Sequence, residues 1–297
     1  MDGILKSFNL FHRPLLALSH LWPSTPPISL TSKESWCYVL GMLQSVEKTV
    51  GAPEGKTVSQ WSGTPREQAV QRMFSAIARS YDLNNSLLSF GLHHHWKRRA
   101  IELVPECAQA GRALDLGAGT GDLAILLDQR MGAEGNVVAT DLNFDMLKVG
   151  VQKISKRGLS SRITCVRGNA EGLVFHTDTF DAVTAGFCIR NVGNIPQAFS
   201  EIYRVLKPGG RFVCLEFSRP IYSWLRTMYD WYSFHVLPKI GRWVARDHTD
   251  VYEYLPASIR AFPNQERLAT MLRQANFSHV EYRNLTGGIV AIHIAVK

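Results

Sequence analysis

The apolar positions of the chain become regular from residue 66 onward. Residues 66–80 are apolar at i, i+3, i+4 and i+7, which predicts an amphipathic helix. A second helix is predicted over Trp96–Val104, where Pro105 ends it. Beyond this proline, short apolar runs alternate with helical patterns of about 10 to 15 residues. Strands joined by helices need crossover connections, so the sequence predicts an α/β fold with a mostly parallel, seven-stranded sheet and helices on both faces.

The same pattern places the individual elements. The predicted strands are Ala113–Leu116, Val137–Thr140, Ile163–Arg167, Phe180–Gly186, Arg211–Phe217, Val280–Leu285 and Gly288–Val296. The predicted helices between them are Asp122–Met131, Phe144–Lys156, Ile195–Leu206 and Gln265–Ala275. Thr286-Gly287 between the last two strands predicts an antiparallel hairpin at the edge of the sheet. Lys207-Pro208-Gly209-Gly210 predicts a sharp turn, because proline cannot continue a helix and glycine accepts a positive φ.

Residues 1–65 differ from the rest of the chain because they show no sustained period. They are rich in proline and serine, and their first 33 residues hold one acidic residue against three basic ones. This composition is compatible with a transit peptide, with a disordered tail, or with a chain whose true start is Met42. The sequence does not distinguish these three interpretations. No apolar stretch approaches the ~18 residues of a membrane span. We therefore expect an N-terminal extension over 1–65 and one α/β domain over 66–297.

The segment from Tyr222 to Trp243 is unusually aromatic. It holds seven aromatic rings in 22 residues, whereas 10% of the whole chain is aromatic. Such a stripe usually belongs to the core, but this one follows the fifth predicted strand, where an insertion would cover a substrate. Large rings that line a pocket suit a flat, apolar substrate. We expect a helical insert near residues 220–262, and both interpretations of its aromatic residues stay open.

Composition and charge narrow the classes of partner. Hydrophobic residues make up 45% of the chain and charged residues 20%, which is ordinary for a globular protein. The net charge of +8 and the pI near 9.3 admit an anionic partner. Because the basic residues are scattered, without a run of five, nucleic-acid binding is not expected. Attraction to an acidic membrane surface is the better expectation.

The metal-binding residue types do not form a recognisable site in the sequence. The five cysteines are far apart and contain no CxxC pair, which favours a reducing compartment and disfavours structural zinc. His93-His94-His95 resembles a metal-binding tract. Successive side chains on a helix point about 100° apart, however, so the triplet is interpreted as a polar helix start. No metal is expected.

The stretch Leu114–Asp122 predicts a ligand-binding loop. A strand-forming run ends in glycines at alternate positions, Gly117, Gly119 and Gly121, and a helical pattern follows at once. Glycines at such a turn let a ligand approach bare backbone at the carboxyl edge of a sheet. A dinucleotide loop needs glycine at the sixth position, where this chain has Asp122, and an acidic side chain there would repel a pyrophosphate. The loop therefore favours a nucleoside that carries positive charge, such as S-adenosylmethionine.

Acidic and amide residues follow the neighbouring strands. Asp115 and Asp122 are candidates to meet the ammonium group of such a ligand, although Asp122 also suits a helix N-cap. Asp141 ends the second strand, where it can accept both ribose hydroxyls or cap the next helix. Asn169-Ala170 follows the third strand, with a donor and an acceptor for an adenine edge, or it merely forms a turn.

A cation follows the fourth predicted strand. Arg190 and Asn191 come after Phe187-Cys188-Ile189, at the same edge of the sheet as the glycine loop. Arg190 can stabilise a phenolate or enolate, and Asn191 can hydrogen-bond its oxygen. On spacing alone, an ion pair between Arg190 and a surface acid is an equally good interpretation.

With these segments in view, about three quarters of the chain, from Met73 to His293, resembles the ubiquinone/menaquinone biosynthesis C-methyltransferase family. This family, which includes demethylmenaquinone methyltransferase, is a branch of the class I S-adenosylmethionine-dependent methyltransferases. The resemblance rests on Ser80-Tyr81-Asp82 with Leu88-Ser89-Phe90-Gly91, Leu114–Asp122, Asp141 with Asp145-Met146-Leu147, Asn169-Ala170-Glu171, Arg190-Asn191-Val192, Tyr203–Gly210, Leu215-Glu216-Phe217, Tyr232-Ser233-Phe234 and Tyr282–Gly288. The Arg-Asn-Val, Tyr-Ser-Phe and Asn-Leu-Thr-Gly-Gly pieces are narrow to this family, whereas the glycine loop is widely shared.

The resemblance implies a fold, a co-substrate and site residues. The fold is a Rossmann-like, seven-stranded methyltransferase sheet, and the co-substrate is S-adenosyl-L-methionine without a metal. Residue by residue, the resemblance assigns Thr120, Asp141, Asn169 and Ala170 to the cofactor and Arg190 and Asn191 to the substrate. The family often has a serine or threonine where this chain has Gly186, so one side-chain contact to the cofactor is missing or replaced by backbone. The family's closing Ala-Leu-His becomes Ala291-Ile292-His293, and residues 1–65 have no family counterpart.

The implied reaction is methyl transfer to a ring carbon of a polyprenylated quinol. Demethylmenaquinol is the expected substrate, with a benzoquinol of the ubiquinone pathway as a further one. Tyr81, Asp247 and His248 are candidates to accept the ring proton. A cytoplasmic protein, peripheral to the inner membrane, and a homodimer are expected. The alternatives are a methyltransferase acting on a soluble acceptor and a non-catalytic scaffold of a quinone-biosynthesis complex.

Overall fold

The computed structural model describes residues 63–106, 110–236 and 251–297. Almost all of the expected N-terminal extension, together with Asp247 and His248, lies outside these ranges. The described residues form one seven-stranded sheet flanked by helices, as the sequence predicts. Among them, no helix is long and apolar enough to cross a membrane.

The strands run in the spatial order β3-β2-β1-β4-β5-β7-β6. Their bounds are β1 Arg112–Leu116, β2 Asn136–Asp141, β3 Ile163–Arg167, β4 Phe180–Gly186, β5 Leu206–Phe217, β6 His279–Leu285 and β7 Val290–Val296. Strands β3, β2, β1, β4 and β5 pair in parallel, and β7 is antiparallel to both of its neighbours. The order reverses at β1 and β4, so the carboxyl ends of these two strands flank the crevice in which α/β sheets bind ligands.

The predicted antiparallel C-terminal hairpin forms at one edge of the sheet. Strand β7 lies between β5 and β6, and β6 takes the edge. The burial of the two strands explains this order. The first six residues of β7 are all buried, whereas β6 is half-buried or exposed along its length. The more apolar strand therefore occupies the position that is covered on both sides.

The helices begin and end close to their predicted bounds. They are α1 Pro65–Ile77, α2 Tyr81–Leu88, α3 Leu92–Ile101, α4 Asp122–Asp128, α5 Phe144–Lys156, α6 Ile195–Val205, α7 Ser223–Trp231, α8 Val251–Ala261 and α9 Gln265–Gln274. Helix α1 starts at a capping box, in which the side chains of Thr64 and Glu67 each accept the other residue's backbone N–H. The sequence analysis missed α2, which has only eight residues and is separated from α3 by Gly91 at a φ of 76°.

The hydrophobic core divides between the two faces of the sheet. On one face, α3, α4 and α5 pack against Ala113, Val137 and Val213. On the other face, α6 and α9 pack against Leu114 and Phe212. Neighbouring residues of one strand thus contribute to opposite cores, as the alternation of side chains along a strand requires. This two-sided packing fixes the strand ends at which the candidate site lies.

The predicted turn at Lys207-Pro208-Gly209-Gly210 lies inside strand β5. Phe180 pairs with Leu206 and Ala182 pairs with Arg211, so this tetrapeptide bulges out opposite a single residue of β4. Gly209 has a φ of 76°, which fits the glycine requirement predicted for the turn. The chain therefore bulges at this tetrapeptide and then resumes its pairing with β4. Strand β5 begins at Leu206, whereas the sequence predicted a start at Arg211.

Candidate functional site

The glycine loop lies at the carboxyl end of β1 in a backbone conformation that favours glycine. Gly117, Gly119 and Gly121 have φ values of 66°, 54° and 81°. A Cβ on Gly117 would lie 2.4 Å from the Cβ of Cys188, so the loop packs directly on the chain that leaves β4. The N–H of Ala118 donates to the carbonyl of Thr140 at 2.9 Å and ties the loop to β2. The backbone of the loop is therefore exposed at the carboxyl edge of the sheet, where β1, β2 and β4 end.

Asp141 joins this loop to the start of α5. Its Oδ2 accepts the N–H of Gly119 at 2.8 Å, and its Oδ1 accepts the N–H of Asn143 at 2.7 Å. Burial raises the pKa of Asp141 above its ordinary value, although these backbone hydrogen bonds oppose the shift. The N-cap of α5 is Asn143, whose Oδ1 accepts the N–H of Met146, so the capping interpretation of Asp141 is wrong.

A cavity of about 110 Å³, here called the polar cavity, lies at this edge of the sheet. It brings together eight of the residues predicted for the site: Tyr81, Gly117, Gly119, Asp141, Asn169, Ala170, Gly186 and Asn191. The Oδ1 of Asn169 accepts the N–H of Glu171 at 3.1 Å, so this residue forms a turn and lines the cavity at once. A Cβ on Gly186 would lie 2.2 Å from the Cδ1 of Leu123, which occupies the space that a serine or threonine side chain needs.

Two residues assigned to the cofactor make side-chain hydrogen bonds inside the protein. Asp115 is fully buried, and its Oδ1 accepts the hydroxyl of Thr184 at 2.9 Å. Burial raises the pKa of Asp115 to about 7. Thr120 is 2% exposed and donates its hydroxyl to Asp82 at 2.6 Å. These hydrogen bonds support the loop from within, while the Oδ2 of Asp115 is buried without a partner among the described residues.

Asp122 is not a free negative charge beside the glycine loop, because it forms two ion pairs inside the protein. Its Oδ2 lies 2.8 Å from the Nζ of Lys97, and its Oδ1 lies 2.7 Å from the Nζ of Lys153. Burial opposes the charge, but the two lysines outweigh it and hold the pKa of Asp122 well below its ordinary value. The N-cap of helix α4 is Gly121, and Asp122 is the first residue of that helix. Because two ammonium groups offset the carboxylate, its predicted repulsion of a pyrophosphate has no structural basis.

A second cavity of about 440 Å³, here called the apolar cavity, adjoins the first. Helices α1, α2, α3, α7 and α8 contribute its walls, and most of its lining residues are aromatic or aliphatic. Phe74, Tyr81 and Phe187 line both cavities and form the boundary between them. Tyr229, Trp231 and Tyr232 from the aromatic segment line the apolar cavity, which supports the pocket interpretation for these three rings. Trp243 lies outside the described residues.

Arg190 lies on the wall of the apolar cavity, but its charge has a buried partner. Its Nη1 donates to the two carboxylate oxygens of Glu216 at 3.0 and 3.1 Å and to the carbonyl of Phe187 at 2.7 Å. Burial opposes the charge of Arg190, but the Glu216 carboxylate keeps its pKa above the ordinary value. The Nε of Arg190 is buried without a partner among the described residues. The alternative of a surface ion pair is wrong, because the acid is buried at the end of β5.

Sequence reasoning missed two polar partners of the Arg190-Asn191 pair. Glu216 stands at the carboxyl end of β5, the same position in its strand that drew attention to Asp141 in β2. Tyr254 of α8 donates its hydroxyl to the Oδ1 of Asn191 at 2.8 Å. The position of Glu216 at a strand end was a usable signal. Tyr254 carried none, because helix α8 reaches the site only through the tertiary fold.

The histidine triplet also differs from the prediction. The rings of His93 and His94 lie with centroids 3.8 Å apart, and both approach Asp122 closely enough to resemble a metal-binding cluster. The expectation that consecutive histidines cannot converge is therefore wrong for this pair. The carboxylate of Asp122 is already bound by Lys97 and Lys153, however, so a cation placed there would meet two ammonium groups.

Known proteins resemble this chain in sequence and in fold. The model of the ubiE/COQ5 methyltransferase family matches residues 63–297. The ubiquinone/menaquinone biosynthesis C-methyltransferase UbiE of Legionella pneumophila strain Paris is 46% identical over 232 residues, which cover 78% of this chain and 92% of that protein. The protein of the same name from Pectobacterium carotovorum strain PC1 is 47% identical over the same shares.

Solved structures share the fold at low sequence identity. Phosphoethanolamine N-methyltransferase 2 of Haemonchus contortus, in complex with S-adenosyl-L-methionine, has a TM-score of 0.58 at 16% identity, over 80% of this chain and 60% of that one. A possible histamine N-methyltransferase from Thermotoga maritima has a TM-score of 0.53 at 19% identity, over 76% of this chain and 99% of that one. The fold is thus that of the class I methyltransferases, and the chain belongs to the ubiE/COQ5 methyltransferase family.

Proposed function

We propose that the protein transfers a methyl group from S-adenosylmethionine to a ring carbon of a polyprenylated quinol, with demethylmenaquinol as the main substrate. The observation that carries this proposal is the pair of adjoining cavities. One is polar and lies on the glycine loop, and the other is apolar and walled by aromatic rings. Methyl transfer requires that donor and acceptor meet at about 3–3.5 Å, which a shared boundary allows.

The charge of the polar cavity suits S-adenosylmethionine. The charged side chains that line it among the described residues are the acids Glu67, Asp141 and Glu171. A sulfonium cation is favoured in such surroundings, whereas a pyrophosphate is not. Each carboxylate oxygen of Asp141 accepts one backbone hydrogen bond and keeps a second lone pair, which can accept a ribose hydroxyl. The acids that line the polar cavity, rather than Asp122, therefore favour S-adenosylmethionine as the ligand.

The apolar cavity suits a flat quinol head group. Its volume of about 440 Å³ lies within the range of about 300–1,000 Å³ that small-molecule sites occupy. S-adenosylmethionine supplies the electrophilic methyl group, and the ring must supply electron density. Arg190 stabilises the negative charge that develops on the ring hydroxyl, and Tyr254 of the apolar cavity holds the amide of Asn191 in the adjoining polar cavity. Loss of one such donor costs about 2.7–4 kcal/mol in the barrier.

The mouth of the apolar cavity carries exposed apolar side chains, as expected for a substrate that resides in a membrane. Phe90, Leu92, Met228 and Trp231 line the cavity and are nevertheless 76%, 41%, 53% and 60% exposed. A prenyl tail can leave the cavity between these residues, and the net charge of +8 favours an acidic lipid surface. We therefore propose that this rim contacts the bilayer peripherally.

The proposed reaction is tested with purified protein and methyl-labelled S-adenosylmethionine. Short-tail demethylmenaquinol should gain one labelled methyl group on a ring carbon, identified by NMR of the product. A matched benzoquinol of the ubiquinone pathway should react more slowly. Transfer only to soluble acceptors would overturn the quinol assignment, and binding of S-adenosylmethionine without transfer to any acceptor would favour a scaffold.

The membrane contact is tested by sedimentation with acidic phospholipid vesicles. Replacing both Phe90 and Trp231 with serine should weaken sedimentation. The control is Val174→Ser, a change at an exposed apolar residue that is absent from the cavity lining. Equal sedimentation of both variants and the unaltered protein would contradict a role for the rim.

A further inference from the structure

His93 lies on the wall of the apolar cavity and has no role in the reaction described so far. It belongs to helix α3, its side chain is buried, and it is 3% exposed. Its Nε2 is buried without a hydrogen-bond partner among the described residues. A buried polar atom without a partner is costly, so a group that a ligand brings into the cavity is its natural partner.

Ser89 determines which ring nitrogen of His93 carries the proton. The single hydroxyl hydrogen of Ser89 is donated to the carbonyl of Asn85, at an oxygen–oxygen distance of 2.6 Å. The Oγ of Ser89 lies 2.8 Å from the Nδ1 of His93 and must therefore accept a proton from it. The neutral ring then has its hydrogen on Nδ1 and a lone pair on Nε2. The unpartnered Nε2 of this cavity-lining residue is therefore an acceptor.

The surroundings of His93 keep the ring neutral. Burial and the nearby cations Lys97 and His94 lower its pKa to about 4, although Asp122 and Asp82 oppose the shift. At neutral pH the Nε2 lone pair is therefore free to receive a proton. Lys97, which also lines the cavity, donates to Asp122 at 2.8 Å and, as a cation, cannot accept a proton from a ligand.

A second acceptor in the same cavity supports a ligand with more than one hydroxyl. The Oδ1 of Asn84 is buried without a partner among the described residues, while the Nδ2 of Asn84 donates to the Oγ of Ser80 at 3.3 Å. Asn84 also lines the apolar cavity. A quinol presents two hydroxyl donors, which matches two acceptors that would otherwise stay unpaired.

We propose that the Nε2 of His93 accepts the proton of the substrate hydroxyl next to the ring carbon that is methylated. This inference rests on the proposed function. As that carbon bonds to the methyl group, the electrons of the carbon–sulfur bond stay on sulfur. The O–H bond breaks, its electron pair forms a carbonyl, and the proton passes to Nε2. The ring C–H bond then breaks, its proton leaves to water, the ring regains aromaticity, and the oxygen recovers its proton from His93.

A base with a low pKa is sufficient for this step. A phenolic hydroxyl ordinarily has a pKa of about 10, which His93 could not deprotonate in the resting state. As the methyl group is transferred, the positive charge of the sulfonium moves into the ring, and the hydroxyl becomes strongly acidic. The proton therefore moves during bond formation. Arg190 complements His93, because it is a fixed cation near the oxygen and cannot accept a proton.

The first test compares two glutamine variants of the same helix. His93→Gln should lower kcat about 10²-fold or more, which is typical for the loss of a general base. Affinity for S-adenosylmethionine, measured by calorimetry, should not change. His95→Gln is the matched control, because His95 is exposed on the same helix, and it should retain full activity. The unaltered protein is assayed alongside both variants, since its failure to methylate the quinol would refute the proposed function itself.

The second test separates a proton acceptor from a structural residue. His93→Ala removes the imidazole, and added imidazole should restore turnover in a concentration-dependent manner. A set of substituted imidazoles should restore it to degrees that follow their basicity. If His93→Gln keeps kcat within about threefold of an active unaltered protein, the proposal fails. It also fails if His93→Ala binds both substrates and imidazole restores nothing.

Discussion

The polar cavity and the apolar cavity are built in opposite ways. The polar cavity is formed mainly by the ends of parallel strands, and the carboxylate of Asp141 is already bound by two backbone N–H groups. The apolar cavity is formed largely by helices from distant parts of the chain, and in the part of the chain that the structure describes Arg190 Nε, His93 Nε2 and Asn84 Oδ1 have no partner. Buried polar atoms without partners among the described residues also lie in β1 and β2, at Asp115 Oδ2 and Thr140 Oγ1. The two cavities therefore differ in the origin of their walls, strand ends in one and packed helices in the other.

The largest effect is expected from the ion pair that supports the apolar cavity. Arg190→Met leaves the Glu216 carboxylate buried and unpaired, so the free energy of unfolding should fall by about 3–5 kcal/mol. Urea unfolding measures this loss. Adding Glu216→Gln should recover much of the stability, because the buried charge is then gone. The double variant should still lack methyl transfer, since it has no cation for the oxyanion. Recovery of activity would contradict the role of Arg190.

The next effect concerns the polar cavity alone. Asp141→Ala removes a carboxylate whose hydrogen bonds to a ligand are each worth about 1.5–3 kcal/mol, so affinity for S-adenosylmethionine should fall at least tenfold. Calorimetry measures the affinity. The control is Asp145→Ala, which removes an exposed acid four residues further along the chain, in the first turn of α5. Equal affinities of the two variants would remove Asp141 from the ribose.

A smaller effect distinguishes close packing of the glycine loop from backbone strain. Gly117→Ala places a Cβ against Cys188, whereas Gly158→Ala meets nothing within 4 Å, and the two glycines have similar φ values of 66° and 73°. Both changes should cost about 1–2 kcal/mol of strain. Gly117→Ala should cost about 1–3 kcal/mol more through overpacking, and only this change should weaken cofactor binding. Equal unfolding free energies would mean that the loop can shift away from Cys188.

The smallest effect on binding is expected at Asp115, which lies beneath the loop. Its raised pKa means that the folded state holds a proton that the unfolded state releases between about pH 4 and 7, so the contribution of Asp115 to stability declines as the pH rises through this range. Asp115→Asn should remove that part of the decline and leave cofactor affinity unchanged. Urea titrations at several pH values measure the difference. A weakened affinity would place Asp115 in contact with the ligand.

The sequence predicts the polar cavity far better than the apolar one. Parallel strands end at one edge, so residues that follow them, such as Gly117, Asp141 and Asn169, can be grouped without knowledge of the tertiary fold. The apolar cavity depends on how α2, α3 and α8 pack. These helices carry no motif that points to His93 or Tyr254, and their relative positions cannot be derived from periodicity.

The features that the sequence did not predict have a similar origin. The period of the last two strands predicted their pairing, but their order depends on which strand buries more apolar surface against β5. The predicted repulsion between Asp122 and a pyrophosphate was wrong because two lysines bind the Asp122 carboxylate. Lys97 and Lys153 are 25 and 31 residues away along the chain, and nothing local indicates that they reach it. Local patterns therefore specified the elements and strand ends, while long-range contacts determined the charge around them.

The central claim is that the two cavities hold the two substrates on either side of Phe74, Tyr81 and Phe187. A crystal structure with S-adenosylhomocysteine and a short-tail quinone tests it most directly. The nucleoside should lie in the polar cavity with its ribose on Asp141, and the quinone ring should lie in the apolar cavity beside Arg190. A nucleoside in the apolar cavity, or a quinone bound away from Arg190, would contradict the account.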